Sequence, residues 1–383
     1  MRFLTMLVTF APVAPRLALE MSGSVVDGLV RGVTTRFVNL RRSETYPRFR
    51  PVWWARDGIS QTVMPILKDC VDCVEPFRGW EPRYVVLEDG VLCRLDVAAC
   101  RGGPAAPACR GVIVVLHGLA GSSDAPYCKN VAREFCADYA VVVINRRSHV
   151  AESLGARAPT HYDRGDLELV LAHLRRTLAG DGRLPMYAFG VSGGANQLMR
   201  YAGDAGARCV FRRAMACGNG WDYDLATANM GSRALDHALC RMNERVYGNV
   251  VGGRKFFGHS RFRDQEAAVN GGHDALPAYY AGVSAIDVID RVAIPVLCMD
   301  ALDDPIYVYP RMGALFGRNP NLSFVITSHG GHVGWLDAEG AYYVRVLRRW
   351  LDDDDGGDGK IGGERPASEG STRHPIPPVG VDE

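Results

Sequence analysis

The pentapeptide Gly190-Val191-Ser192-Gly193-Gly194 lies between an apolar run, Met186-Tyr187-Ala188-Phe189, and a stretch that suits a helix, Ala195-Asn196-Gln197-Leu198-Met199. This order predicts a strand, a sharp turn and a helix, with Ser192 on the turn at the end of the strand. The flanking glycines are expected to be needed because side chains there would collide with the neighbouring strand and helix. A glycine-rich turn with an incidental serine is the alternative, but the strand-to-helix context favours a nucleophile.

Other apolar runs of strand length are rich in β-branched residues. Such runs are typical of strands that are covered on both faces, as in a parallel sheet. A helical pattern, with apolar residues three and four positions apart, extends from Leu167 to Leu178. Strands that alternate with helices predict an α/β fold with a mostly parallel, doubly wound sheet. The remaining predicted strands are Val112-Ile113-Val114-Val115-Leu116, Val141-Val142-Val143-Ile144, Val296-Leu297-Cys298-Met299 and Leu322-Ser323-Phe324-Val325-Ile326.

The alternating pattern runs from roughly Tyr84 to Leu351, and residues 46–351 are predicted to form the folded domain. A segment at about 221–284 interrupts the alternation of strands and helices between the third and fourth predicted strands. It is helix-like from Leu225 to Val250 and irregular from Val251 to Gly272. Such an insertion is expected to lie over the strand ends as a helical cap or as one wall of a pocket.

A serine is a poor nucleophile until a base takes its proton, and the base is expected to be a histidine further along the chain. His332 lies in His329-Gly330-Gly331-His332-Val333-Gly334-Trp335, shortly after the strand that ends at Ile326. Loops at the carboxyl ends of strands are where an open α/β sheet meets its ligands. His329 competes for this role, but His332 lies deeper in the loop and is preferred. For His329 a solvated loop position is expected.

The acid that orients the histidine should follow an earlier strand. The run Val296 to Met299 leads into Asp300-Ala301-Leu302-Asp303-Asp304-Pro305. Two adjacent aspartates are not expected to point the same way, and Asp304, directly before Pro305, is preferred. Asp303 is then a turn residue or a supporting acceptor, and ordinary turn chemistry is the alternative for both.

An oxyanion hole needs backbone N–H donors, usually two. One is expected from Gly193, which follows the nucleophile, and the other from the loop after the strand Val112 to Leu116. In that loop, His117-Gly118-Leu119-Ala120-Gly121, the N–H of Leu119 is the expected donor. His117 is expected to shape the loop and not to act as a base.

Composition sets limits on the class of protein. The 383 residues carry a net charge of +1, which lacks the basic excess that a nucleic-acid partner would require. The 11 cysteines are spread thinly, unlike a disulfide framework, and favour a reducing compartment. Cys70-Val71-Asp72-Cys73 has CxxC spacing, but a zinc ribbon needs a second such pair. Neither a metal nor a cofactor is expected.

The two ends of the chain differ from the rest. Residues 352–383 begin with an aspartate run and continue mostly with Gly, Glu, Ser and Pro, so a disordered tail is expected. Residues 1–45 are expected to be an interfacial or disordered segment. Their apolar run from Phe3 to Ala14 has the length of a signal-peptide core but is shorter than the roughly 20 residues that span a bilayer. A cytoplasmic location, or peripheral association with a membrane, is expected.

Together these motifs resemble the α/β-hydrolase-domain (ABHD) family, in particular the bacterial YheT-like proteins and the embryogenesis-associated hydrolases. The resemblance runs from about Tyr46 to Leu351 and depends on the order and combination of the motifs. The matching segments are His117-Gly118-Leu119-Ala120-Gly121-Ser122, Gly190-Val191-Ser192-Gly193-Gly194-Ala195-Asn196, Ile294-Pro295-Val296-Leu297 leading to Asp303-Asp304-Pro305, and Gly330-Gly331-His332-Val333-Gly334, with smaller matches at Gln61-Thr62, Asp166-Leu167 and Tyr279-Tyr280.

The resemblance implies an α/β-hydrolase fold and a triad of Ser192, Asp304 and His332, in agreement with the choice made from the residues. It also implies a carboxylester hydrolase or lipase, so the expected substrate is a small acyl ester or lipid. Some members transfer acyl groups to alcohols, which is one alternative; a catalytically inactive binding protein on the same fold is another. Asn145-Arg146-Arg147-Ser148 stands where the family usually has an Arg-Gly pair, and Arg254 to Gly272 matches poorly, which leaves the substrate open.

Overall fold

The computed structural model describes residues 33–71, 77–101, 109–307 and 312–355. Within these residues the apolar runs predicted as strands are buried and form the centre of one 9-stranded sheet. Its strands are β1 (Thr35–Val38), β2 (Glu81–Val86), β3 (Leu92–Ala98), β4 (Val112–Leu116), β5 (Ala140–Asn145), β6 (Met186–Val191), β7 (Arg213–Cys217), β8 (Val296–Ala301) and β9 (Leu322–Thr327). A separate hairpin pairs β10 (Leu336–Asp337) with β11 (Gly340–Ala341).

The strand order across the sheet is β1-β9-β8-β7-β6-β4-β5-β3-β2. Strands β4 to β9 pair in parallel, whereas β1, β2 and β3 pair antiparallel with their neighbours. The prediction of a mostly parallel sheet is confirmed. Strand β7 was not predicted because its five residues begin with a charged one, Arg213, whose guanidinium stacks 3.8 Å over the Trp350 ring. The insertion therefore follows β7, and it lies between the predicted strands that correspond to β6 and β8.

Helices cover both faces of the sheet. Along β4, Val112, Val114 and Leu116 belong to one hydrophobic core, and Ile113 and Val115 to the other. This alternation explains why the strand reads as a continuous apolar run. The helices are α1 (Gly58–Val71), α2 (Pro126–Phe135), α3 (Arg164–Thr177), α4 (Gly193–Ala205), α5 (Tyr223–Ala228), α6 (Arg233–Gly248), α7 (Phe262–Val269), α8 (Leu276–Val283) and α9 (Tyr342–Asp355).

The ordered domain extends further than residues 46–351 at both ends. Strand β1 precedes the predicted boundary and pairs with β9 at the sheet edge. Helix α9 continues through the aspartate run that was expected to begin the tail. Acidic residues are unfavourable at a helix C-terminus, but here each of the first three aspartates has a partner. Tyr46 donates to Asp353 and Tyr187 donates to Asp354. Arg110 forms an ion pair with Asp352. Predictions for residues 1–32 and 356–383 lie outside the described residues.

The insertion between β7 and β8 contains α5 to α8. The stretch from Val251 to Gly272 was expected to be irregular, but it includes α7. That helix is fixed by tertiary contacts, since the Phe262 N–H donates to Asp236 and the buried Gln265 side chain donates to the carbonyls of Cys240 and Phe256. Local sequence pattern alone does not reveal such contacts.

Candidate active site

Ser192 stands on the sharp turn between β6 and α4, as the sequence predicts. Its φ of 54° and ψ of −121° form a backbone conformation that residues with side chains rarely adopt. A Cβ at Gly190 would lie 2.6 Å from the Gly194 oxygen, and one at Gly194 would lie 2.0 Å from the Leu116 oxygen. The expected collisions are therefore confirmed, and both glycines are needed for this turn.

His332 lies between Ser192 and Asp304. Its Nε2 is 2.7 Å from the Ser192 Oγ, and its Nδ1 is 2.7 Å from an oxygen of Asp304. Because Nδ1 faces a carboxylate, it carries the proton and donates, which leaves Nε2 to accept from the serine hydroxyl. The competing His329 is buried, and its Nδ1 lies 2.8 Å from the Ser328 Oγ. The structure thus joins His332, and not His329, to the serine.

The two adjacent aspartates point in different directions, as expected. Asp304 is buried, and its second oxygen accepts the N–H groups of Ile306 and Tyr307 at 2.8 and 2.9 Å. Asp303 instead accepts the Gly331 N–H at 2.9 Å, in the loop that carries His332. Burial raises the pKa of Asp303 to about 7. Asp303 therefore supports the histidine loop, whereas Asp304 contacts the histidine itself.

Helix α1 holds the histidine loop from a distant part of the sequence. The Thr62 Oγ1 accepts the backbone N–H of His332 at 2.7 Å, and Gln61 accepts the Leu336 N–H at 2.7 Å. In the sequence, Gln61-Thr62 is only one of the smaller matches to the ABHD family, and no role is predicted for it. These contacts join residues 270 and 275 positions apart, so no local pattern could predict them.

Asp300 was not singled out from the sequence, although it also shapes the site. It is buried at the end of β8, and it accepts the Asn219 N–H at 3.0 Å and the Trp221 indole N–H at 3.4 Å. These bonds hold the loop after β7, where a Cβ on Gly218 would lie 3.5 Å from the His332 ring. Burial raises the pKa of Asp300 to about 7. A carboxylate in an otherwise apolar strand was the available signal, because buried polar groups need partners.

The loop after β4 reaches the turn that carries Ser192. A Cβ on Gly193 would lie 3.5 Å from the Leu119 nitrogen and 3.6 Å from the Tyr223 hydroxyl, so this glycine leaves a small space beside the serine. His117 is buried in the loop, and its Nε2 accepts the Arg146 N–H at 3.2 Å. Burial and the nearby guanidinium lower the pKa of His117 to about 3. The ring is neutral and does not reach the serine, in keeping with a loop-shaping role.

The described residues contain no group of His, Cys, Asp or Glu that could hold a metal ion. In the same part of the chain, no helix is both long and apolar enough to cross a membrane. Cys73 of the CxxC pair lies outside the described residues.

No protein-family model matches the chain. Among curated proteins, it is 29% identical over 270 residues to the phospholipase ABHD3 of Mus musculus, covering 63% of each chain. It is 25% identical over 267 residues to the medium-chain fatty acid ethyl ester synthase/esterase 2 of Saccharomyces cerevisiae, covering 60% of this chain and 58% of that one. The chain therefore spans about three fifths of the length of the curated relatives it matches.

A solved structure has the same fold. The 2,6-dihydroxy-pseudo-oxynicotine hydrolase is similar with a TM-score of 0.50 and 14% sequence identity, over 77% of this chain and 73% of that chain. At this identity the likeness concerns the fold alone. Together with the strand order and the turn at Ser192, it confirms the predicted α/β-hydrolase fold.

Proposed function

Since the chain belongs to the ABHD family of α/β-hydrolases, we propose that it hydrolyses carboxylic esters of acyl or lipid type. Ser192 is the nucleophile, His332 the base, and Asp304 the carboxylate that orients the base. The observation that carries the proposal is the pair of 2.7 Å contacts from His332 to Ser192 and Asp304. This arrangement argues against the inactive binding protein considered from the sequence.

The reaction starts when the Ser192 Oγ attacks the acyl carbon while its proton passes to the His332 Nε2. The carbonyl oxygen becomes an oxyanion that accepts from the backbone N–H groups of Leu119 and Gly193. Collapse of this intermediate breaks the ester C–O bond, and His332 returns the proton to the leaving alcohol. Asp304 accepts from the His332 Nδ1 throughout and stabilises the imidazolium while it exists.

Water completes the cycle by attacking the acyl-enzyme, with His332 again taking and returning a proton. An alcohol in place of water would give a new ester, so acyl transfer is the second candidate activity. Its specific support is the similarity to the yeast protein named as an ethyl ester synthase and esterase. Product analysis with and without added ethanol separates the two activities, since only transfer yields an ethyl ester.

Serine substitution tests the nucleophile. Ser192→Ala should abolish hydrolysis of p-nitrophenyl butyrate and labelling by a fluorophosphonate. Ser260→Ala, at an exposed serine of the insertion, is the matched control and should keep both. Persistent labelling of the Ser192→Ala protein would disprove the assignment.

A second pair of variants tests the base. His332→Ala should lower kcat by at least about 10³-fold, because the serine loses its proton acceptor. His329→Ala removes a histidine three positions earlier and should reduce kcat far less. Equal losses in the two variants, in protein that folds normally, would contradict the role of His332.

We also propose that the protein touches lipid surfaces near the site. Trp53 and Trp54 are 82% and 46% exposed, shortly before α1. The first residue of α1, Gly58, packs against the backbone of Asp303, and the neighbouring Leu302 is 64% exposed. Exposed Trp and Leu side chains are suited to a membrane interface.

Vesicle sedimentation tests this contact. Phosphatidylcholine vesicles should sediment less of the Trp53→Ala/Trp54→Ala protein than of the wild type. Tyr84→Ala changes an exposed aromatic residue on β2, which is the edge strand of the sheet opposite to β1. This variant should bind like the wild type. Unchanged sedimentation of the double variant would refute the proposal.

A further inference from the structure

Arg146 is a buried cation, 6% exposed, at the carboxyl end of β5. Its neighbour Arg147 pairs with the carboxylates of Asp89 and Asp166. Arg146 forms no ion pair with the described residues, and its Nε has no hydrogen-bond partner among them. A buried guanidinium without a carboxylate is costly, so its position calls for an explanation in terms of function.

The guanidinium of Arg146 binds the peptide group that precedes Leu119. Its Nη2 donates to the Gly118 carbonyl oxygen at 3.2 Å. The same oxygen accepts from the His117 Nδ1 at 2.8 Å, since the His117 Nε2 is occupied by the backbone N–H of Arg146. One carbonyl is therefore held by two side-chain donors.

That carbonyl and the Leu119 N–H belong to a single planar peptide group. Holding the oxygen of Gly118 fixes the direction of the N–H on the opposite side. A cation on the oxygen also polarises the peptide, which makes the N–H a stronger donor. Arg146 thus acts on the Leu119 donor through the backbone.

The positive charge also lies close to the space that the oxyanion would occupy. A Cβ on Gly193 would lie 3.5 Å from the Leu119 nitrogen and 3.9 Å from the Arg146 Nη2. In a buried site, a fixed charge interacts with a developing anion more strongly than it would in water. Asp163 interacts with Arg146 electrostatically, but no carboxylate among the described residues forms an ion pair with it.

Resting on the function proposed above, we propose that Arg146 is a positioning residue of the oxyanion hole. It holds the Gly118–Leu119 peptide in place, and its buried charge stabilises the tetrahedral intermediate. The negative charge exists only in the transition state and the intermediate, so Arg146 should affect kcat and leave KM nearly unchanged.

Arg146→Met tests this role because it keeps an unbranched side chain without charge or donors. Loss of one oxyanion-hole donor costs roughly 10²–10³ in kcat, and weakening a donor should cost about 10- to 100-fold. The affinity for an alkyl boronate, which forms a tetrahedral anion on the serine, should fall by a similar factor. KM for p-nitrophenyl butyrate should change less than about twofold.

Arg147→Met is the matched control for loss of a buried arginine. It should lower the melting temperature, because it leaves Asp89 without its cation and Asp166 with only the longer contact to Arg157, at 3.4 Å. Its kcat per labelled serine should stay near that of the wild type. If Arg146→Met does not fold, Arg146→Lys replaces it. Lysine keeps the charge but places it differently, so kcat and boronate affinity should still fall together at unchanged KM.

Two results would overturn the inference while leaving the esterase proposal intact. In the first, the wild type is labelled and active, and the Arg146 variants keep the wild-type kcat and boronate affinity. The other is a rise in KM at constant kcat, which would mean that Arg146 binds a ground-state anion of the substrate. A wild type that neither hydrolyses esters nor reacts with fluorophosphonate would instead refute the proposed function.

Discussion

Gly194→Ala is the sharpest test of the turn that carries Ser192. The added Cβ would lie 2.0 Å from the Leu116 oxygen and 2.6 Å from the His117 oxygen. Both are backbone atoms, so no side chain can rotate away, and β4 and α4 must separate by about 1 Å to restore normal contacts. Overpacking of a buried site typically costs about 1–3 kcal/mol. With two backbone atoms so close, we expect a loss of at least about 3 kcal/mol in the free energy of unfolding.

The same displacement should also reduce activity in the protein that remains folded. The end of β4 leads into the loop that places the Leu119 N–H, and a shift of about 1 Å can cost roughly 10²-fold in rate. Urea unfolding and kcat per fluorophosphonate-labelled serine are the two measurements. Because labelling counts only competent sites, it separates loss of fold from loss of geometry.

Gly165→Ala is the matched control, since nothing lies within 4 Å of a Cβ at this exposed position in α3. It should keep wild-type kcat and gain about 0.4–1 kcal/mol in stability, because alanine restricts the unfolded chain. If Gly194→Ala unfolds like the wild type and keeps its kcat, the glycine is not needed for the turn. The steric account of the pentapeptide would then be wrong.

Two further variants test the support of the histidine loop. Thr62→Val removes the acceptor of the His332 N–H, and it should lower kcat about 10-fold at unchanged KM, as measured with p-nitrophenyl butyrate. Asp303→Asn keeps an acceptor for the Gly331 N–H but has no charge. Because burial raises the pKa of Asp303 in the folded protein to about 7, above its ordinary value of 3.8, the wild type should lose stability as pH rises from about 4 to 7. Asp303→Asn should therefore be more stable than the wild type at pH 8, by up to about 4 kcal/mol, and should differ little from it at pH 4. Urea unfolding at both pH values measures this difference. Asp181→Asn, at an exposed aspartate, is the control.

The sequence predicts the centre of the fold because the central strands are covered on both faces. Their continuous apolar runs, such as that of β4, are visible without any tertiary information. Edge strand β1 has no fully buried residue and pairs with residues almost 300 positions away, so it has no comparable local signal. The aspartates at the end of α9 likewise look like a polar tail until their tyrosine and arginine partners are known.

In the candidate site, too, some residues could be predicted from the sequence and others could not. Ser192, Asp304 and His332 each follow a strand, and parallel strands bring their carboxyl ends to one edge, so their proximity could be predicted. The supporting contacts of Thr62 and Asp300 could not, because they depend on the directions of single side chains between distant segments. The sequence therefore indicates the reacting groups more readily than the residues that hold them in place.

Specificity is expected to depend on the insertion more than on the reacting groups. The Tyr307 ring packs edge-on against His332 with ring centroids 5.1 Å apart, and Tyr223 packs against Tyr307 at 5.8 Å. The Tyr223 backbone is in turn held by Ser284, at the far end of the insertion. Aromatic contacts thus connect the histidine to α5, while no residue of the insertion takes part in the hydrogen bonds among Ser192, His332 and Asp304. Changes in the insertion are therefore expected to alter the surroundings of the histidine, and with them the choice among the proposed ester substrates, while leaving the proton transfer intact. For this reason similarity in the motifs indicates the chemistry but not the substrate.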